Sequence, residues 1–361
     1  MDNYPKTDLI DKERERETVS QPVRATYISV LRIVCCLSVI ILHTNGIFWT
    51  RPHGKLWVSA NFLETFFYFA VPVFFMISGA TLLDYRERYS TKEFLKKRFS
   101  KTITPFIFWS IVAGLFNAWI NGQPFDYNIA HVIDNILNTR YFFIYWFFTS
   151  LFAVYLSMPL LSAVSDKLKV YAFTSAVGVI CLGIIPLCFS LLGLGDWPIT
   201  PPVVGGYIIY VLLGYIFSKL DLSQKQRNIV YKLGIAGWLL HFTGTLYLSL
   251  EKNEINETFK GYLNIPAILQ AIAVFVFFKN LNYEKLCGRH PVIEKGINKL
   301  ASFTFGIYLL HMFPINYLTS RYPIDTSSLL WRLGGAIPIF AVCAIVTGIV
   351  KKIPVVNKLL P

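Results

Sequence analysis

Residues 27–49 read YISVLRIVCCLSVIILHTNGIFW, an apolar run that carries Arg32 and, eleven residues later, His43. A run of this length crosses about 30 Å of hydrocarbon as a helix. At about 100° per residue, eleven steps end roughly 20° past three full turns, so both side chains share one face, about 16 Å apart along the axis. An Arg near the centre of a span costs about 2.5–3.5 kcal/mol on insertion scales. Ionisable residues retained in spans usually face a polar cavity and serve a function. The other use open to each is to snorkel to the headgroups at its own end.

The rest of the chain has the same character. Of 361 residues, 54% are hydrophobic and 15% charged, against about 25% charged in a soluble domain. Ten apolar runs are long enough to suggest spans, at 27–48, 62–83, 102–120, 145–164, 170–193, 203–218, 229–249, 262–278, 302–318 and 329–350. The sixth is the weakest, because it is short and follows Pro201 and Pro202. The expected fold is an all-α integral membrane protein, a bundle of about ten transmembrane helices. With a cytoplasmic N-terminus, 25 of the 34 Lys and Arg fall on inside segments, 6 on outside loops and 3 within spans. That asymmetry is what the positive-inside rule requires, and it puts both termini in the cytoplasm. The domain reading is a cytoplasmic tail (1–26), one membrane domain (27–350) and a short cytoplasmic tail (351–361).

Several function classes drop out. The net charge of +13 could serve nucleic acid, but a basic groove on a soluble face is hard to build from this composition. The first 25 residues alternate acids and bases and lack the apolar core of a signal peptide. The cysteines show no ligand spacing, and Cys35, Cys36, Cys181, Cys188 and Cys343 read as small core residues of the spans. Asn256-Glu257-Thr258 is a formal glycosylation sequon without other support. No GxxxxGK[ST], GxGxxG or HExxH motif occurs, no metal site is expected, and no aspartate pair sits mid-membrane as a cation-driven pump would need.

Four constellations carry chemistry. Arg32 lies in the inner third of the first span and His43 in its outer third. The planar Arg fork suits phosphate or carboxylate, and His best takes and returns a proton near neutral pH. In the second span, Val71-Pro72-Val73-Phe74-Phe75-Met76-Ile77-Ser78-Gly79 offers a kink and a small Ser-Gly pair for close helix approach, with Ser78 near the cytoplasmic end. The inside loop Lys92–Lys101 sets Lys97, Arg98 and Lys101 at helical spacing. Such a cluster serves anionic lipid heads or, equally, the phosphates of a donor such as coenzyme A. In the ninth run, His311 sits near the midplane one turn after Tyr308, as a catalyst or as an interhelical contact. Trp146 belongs either to substrate binding or to the aromatic belt. Glu64, near the outer start of the second run, is placed to orient His43 if the first two helices pack. His53, His131, His241 and His290 have no assigned role.

Together these pieces resemble the acyltransferase 3 family of integral-membrane acyltransferases. Arg32 and His43 match its R/K-x10-H pattern, Val71–Gly79 its second-helix block, and Arg98-Phe99-Ser100-Lys101 followed by Pro105 its RxxR segment. Tyr145-Trp146-Phe147-Phe148 with Tyr155 and Pro159-Leu160-Leu161 resembles its LWF…Y…P-L-L block, and Gly306-Ile307-Tyr308-Leu309-Leu310-His311 its late GIYLLH block. The wording is most similar to stand-alone glycan O-acetyltransferases of the enterobacterial common antigen type. Lys101 replaces the second Arg, which loses bidentate phosphate geometry, and Tyr145 stands where Leu is usual. The resemblance implies an O-acetyltransferase of the bacterial inner membrane. Cytoplasmic acetyl-CoA would be the donor, held by Arg98, Lys101, Lys97 and Ser78, with Arg32 near the phosphates or the acyl end. His43 would be general base or acyl carrier toward a hydroxyl of an envelope glycan or lipid-linked saccharide. The competing class is a transporter or polysaccharide exporter with Arg32, His43 and His311 along the route.

Overall fold

The computed structural model describes residues 7–287 and 291–361, with side chains over 26–285 and 291–361. His290 and residues 1–6 lie outside the described residues. The chain opens on α1 (Thr7–Thr44), so residues 7–25, read as a solvated tail, are helical and run straight into the first span. Then come α2 (Gly54–Phe67), α3 (Ala70–Leu82), α4 (Thr91–Ile120) and α5 (Ile129–Leu137). The middle holds α6 (Trp146–Ser162), α7 (Lys167–Gly178), α8 (Ile185–Leu191), α9 (Ile208–Lys219), α10 (Gln224–Lys252) and α11 (Ile265–Lys279). The end holds α12 (Tyr283–Cys287), α13 (Pro291–Ala301), α14 (Thr304–Leu310), α15 (Met312–Arg321) and α16 (Ala336–Val350). No strand occurs among the described residues.

Seven helical stretches among the described residues are long and apolar enough to cross a membrane: Thr26–Thr44, Gly54–Glu87, Thr91–Ile120, Phe143–Ser162, Lys167–Leu191, Gln224–Lys252 and Leu330–Val350. The other three runs form shorter elements. Two are the apolar helices Ile208–Lys219 and Ile265–Lys279, and the third is the broken pair α14–α15. The run at 203–218 becomes α-helical only at Ile208, after a 3-10 turn at Pro202–Val204, because Pro201, Pro202, Gly205 and Gly206 precede it.

Two breaks follow from proline. Pro72 has no N–H for the Tyr68 carbonyl, and the second span divides there into α2 and α3, although Val73 N still donates to Phe69 O at 3.0 Å. Pro314 likewise leaves the Leu310 carbonyl without its donor, and α14 gives way to α15 at His311. The second span begins at Gly54 rather than near residue 62, so Glu64 lies ten residues inside it instead of near its start. The basic segment Lys92–Lys101 is the first part of α4, not a loop. Ser90 caps it, its Oγ accepting from Glu93 N at 3.3 Å.

The short, largely buried α9 packs on α3 through two glycines. A Cβ on Gly79 would lie 1.8 Å from the Val211 carbonyl oxygen, and one on Gly214 would lie 2.0 Å from that of Met76. Both helices therefore touch backbone to backbone, the close approach expected of the Ser78-Gly79 pair. At the Arg32 end, Asp84 ties three elements together. It receives Lys167 Nζ at 2.8 Å, Lys219 Nζ at 2.6 Å and the Tyr215 hydroxyl at 3.1 Å. The amphipathic α13 lies along α1, with Thr26 donating to Glu294 Oε1 at 2.9 Å and Ser29 to Asn298 Oδ1 at 2.7 Å. Cys35, Cys36 and Cys343 are free and buried, as small core residues should be, whereas Cys181 is only partly buried and Cys188 is exposed on the outside of the bundle.

Candidate active site

The Arg32–His43 face of α1 borders a cavity at each end. At the Arg32 end a cavity of 460 Å³ is lined by Arg32, Arg88, Arg98 and Lys101, with Ser78, Thr81, Thr102 and Tyr155 among its polar groups. Among the described residues no Asp or Glu lines it, and Pro361 stands at its edge. Arg88 donates to the Thr81 carbonyl at 2.9 Å. None of the ion pairs among the described residues involves Arg32, Arg98 or Lys101. Arg98 Nε is buried without a hydrogen-bond partner. Beyond Lys101, Lys351 donates to the Ser302 carbonyl at 2.7 Å, and burial together with Lys101 holds its pKa below the usual lysine range. Cations gathered with no acidic side chain described among them favour an anionic occupant, and Arg forks suit phosphate above all.

Ser78 lines this cavity, with its hydroxyl donating to the Phe74 carbonyl at 3.1 Å. Lys97 does not. It turns away to Glu93 at 2.8 Å and stands over the Tyr89 ring. Lys97 and Lys101 are themselves i,i+4 neighbours, so what separates them is the Glu93 carboxylate one turn back, which holds the Lys97 ammonium outside the cavity.

At the His43 end a larger cavity of 660 Å³ is lined by His43, Glu64, Trp146 and Tyr308, all expected from the sequence, and by Tyr68, Tyr207, Glu257, Lys260 and Tyr262, which were not. Lys260 and Glu64 form a buried ion pair at 3.1 Å, their side chains 4% and 5% exposed. The ammonium also sits 4.3 Å from the Tyr68 ring centroid and 4.6 Å from that of Trp49. Tyr68 stacks on Tyr262 at 4.3 Å, and Tyr262 on Trp146 at 5.7 Å. Aromatic faces beside carboxylates suit a ligand with an apolar ring face and hydroxyl edges. Trp146 is thus a wall of this cavity, and Glu64 faces Lys260 rather than His43.

His311 is the partner of His43. Their ring centroids are 5.2 Å apart, although 268 residues separate them in sequence. The His311 Nδ1 lies 2.7 Å from the Tyr308 carbonyl, which can only accept, so Nδ1 carries the proton and Nε2 keeps a free lone pair in the neutral ring. That Nε2 has no hydrogen-bond partner and is buried. The interruption there is slight: His311 keeps helical dihedrals (φ −62°, ψ −26°), and its N–H still reaches the Ile307 carbonyl at 3.0 Å.

Arg332, only 2% exposed, supports the same corner. Its guanidinium donates to Ser59 Oγ at 2.9 Å, and its carbonyl accepts from the Thr44 hydroxyl, next to His43, at 2.8 Å. Among the described residues no group of three or more His, Cys, Asp or Glu could hold a metal ion.

A family model described as an acyltransferase domain, that of the acyltransferase 3 family, matches residues 26–348. The chain belongs to that family. No curated protein sequence and no solved structure matches it. The matched region takes in every candidate site residue and all of the lining of both cavities except Pro361, so this is a membrane acyltransferase.

Of the residues missed from sequence, Lys260 and Tyr262 stand in a short segment, Phe259-Lys260-Gly261-Tyr262, whose one cation counted only as loop charge. Arg88 was hidden in the same way among the positive charges before α4. An aromatic pair flanking a lone Lys outside a span was the only available signal.

Proposed function

We propose that this acyltransferase moves an acetyl group from cytoplasmic acetyl-CoA to a hydroxyl of an envelope glycan or lipid-linked saccharide, across the inner membrane of a bacterium. The observation that carries this reading is the pair of cavities with opposed chemistry at the two ends of the Arg32–His43 face. In a ten-span topology with both termini inside, the cationic cavity opens to the cytoplasm. Arg98, Lys101, Arg88 and Arg32 there take the donor's phosphates, and the acyl end points toward His43. The aromatic cavity opens outward and takes the sugar, with Trp146 and Tyr262 against its apolar face and Glu64 held in place by Lys260.

In the transfer itself, His43 removes the proton from the acceptor hydroxyl and the oxygen attacks the thioester carbonyl. The C–O bond forms, the C–S bond breaks, and the coenzyme leaves as its thiol after taking up that proton. His311, fixed by Tyr308, orients the His43 ring. His43 could instead carry the acetyl group transiently on nitrogen, and trapping acetyl-His43 by mass spectrometry distinguishes the two routes. The resemblance to glycan O-acetyltransferases of the enterobacterial common antigen type supports a repeat-unit sugar as acceptor. Mass spectrometry of envelope glycans with and without the protein is the direct test. Loss of one acetyl group per modified unit is expected, and an unchanged glycan profile overturns the proposal.

A further inference from the structure

One side chain belongs to both cavities. Tyr308 lines the cationic compartment and the aromatic one, yet is only 7% exposed. Its ring packs between Phe147, at 5.3 Å, and Phe148, at 5.8 Å. Its hydroxyl donates to the Ile144 carbonyl at 2.6 Å. In return the Tyr145 hydroxyl donates to the Leu309 carbonyl at 2.8 Å. Two adjacent residues of α14 are thus latched reciprocally to two adjacent residues of the turn before α6. Tyr145 replaces the Leu of the resembling block, so this half of the latch depends on a phenol that Leu would lack. The backbone of Tyr308 has a second duty, since its carbonyl accepts from His311, the ring beside His43. It stands on a helix of seven residues whose ladder is interrupted just beyond by Pro314, so the latch, rather than a long helix, holds it in place.

Resting on the acyl-transfer reading above, we propose that Tyr308 is the partition that selects a sugar hydroxyl over water as acceptor. Water competes for the same thioester. Its oxygen attacks the carbonyl, the C–S bond breaks, and acetate, a proton and free coenzyme A thiol result. Excluding water from the reacting centre suppresses such side reactions. The phenol ring closes the acceptor compartment off from the donor compartment, and the latch keeps it closed while no sugar is seated. Because the Tyr308 carbonyl also holds His311, movement of the ring when the sugar is seated reaches the His43 pair directly. Tyr308 is a positioning residue in this role, and its loss is expected to create an activity rather than only to remove one.

The experiment uses the full chain in lipid nanodiscs with acetyl-CoA and no acceptor, reading thiol release and acetate. Tyr308→Ala should raise acceptor-independent thiol release by about tenfold or more, and Tyr308→Phe by about fivefold, the equivalent of one lost neutral hydrogen bond. Tyr145→Phe, which breaks the other half of the latch, should raise it similarly. The added hydrolysis should vanish when His43→Ala is combined with Tyr308→Ala. A merely structural role lowers every rate together and overturns the partition. So does unchanged hydrolysis in both phenylalanine variants, which remove one oxygen each and retain the packing. A wild-type protein that acetylates envelope glycan while these variants hydrolyse no faster refutes the partition alone. A wild-type protein that neither transfers acetyl nor releases thiol refutes the acyl-transfer reading itself.

Discussion

His43 and His311 meet with their ring centroids 5.2 Å apart, and the tautomer of one follows from the carbonyl it bonds. That leaves His43 as the imidazole open to the aromatic cavity. His43→Ala should lower acetyl transfer by about 10²–10⁴-fold, the usual worth of a general base, with acetyl-CoA affinity retained. Transfer at the wild-type rate in purified protein would remove His43 from the chemistry. Arg98→Ala should act in the opposite place. Loss of a charge-assisted phosphate bond, about 1.5–3 kcal/mol, should weaken acetyl-CoA binding by about tenfold to a hundredfold, measured by calorimetry without acceptor. Lys97→Ala, whose ammonium pairs with Glu93, should leave donor affinity within about twofold, as exposed pairs contribute little. The shared face of Arg32 and His43 was legible from spacing alone, because helix periodicity is local, whereas the same spacing could not separate Arg98 and Lys101, which line the cavity, from Lys97, which does not. Lys260 was not, since nothing local in a loop reports which buried carboxylate a lone cation will reach.

The elements are shaped by small residues and prolines. The close approach of α3 and α9 leaves no volume for a methyl group at Gly79, where an added Cβ would meet the Val211 carbonyl. Gly79→Ala should therefore lower the thermal midpoint, at a cost of about 1–3 kcal/mol for overpacking, and a midpoint unchanged within error would show that the helices are freer to separate. The break at His311 invites the converse experiment. Pro314→Ala restores a donor for the Leu310 carbonyl and lets α14 run into α15. It should leave the protein folded while lowering transfer by about tenfold or more, since an ångström-scale displacement of the His311 ring is enough to misplace its partner. The helices themselves were visible as apolar runs. Their interruptions were less so, because a proline in a run marks a possible kink without saying whether neighbouring helices stabilise a bend or a full break. The charges of the 92–101 segment suggest a loop and mask the Ser90 cap, although their spacing is helical.

At the scale of the molecule, the arrangement puts a cationic and an aromatic compartment back to back with Tyr308 between them. Accessibility mapping with single cysteines should place positions 91–101 on the cytoplasmic side and 253–264 on the opposite one, and both on one side would dismantle the ten-span reading. The sequence by itself determined the helical membrane class, the Arg32–His43 axis and the cationic character of one end. Each follows from composition or from repeats within a single helix, where geometry is local and nearly invariant. Only the tertiary structure decided that His311 reaches His43, that Lys260 reaches Glu64, and that one phenol divides the two cavities. These contacts join residues 164 to 268 positions apart, and they depend on how glycine contacts and proline breaks set the helices against one another.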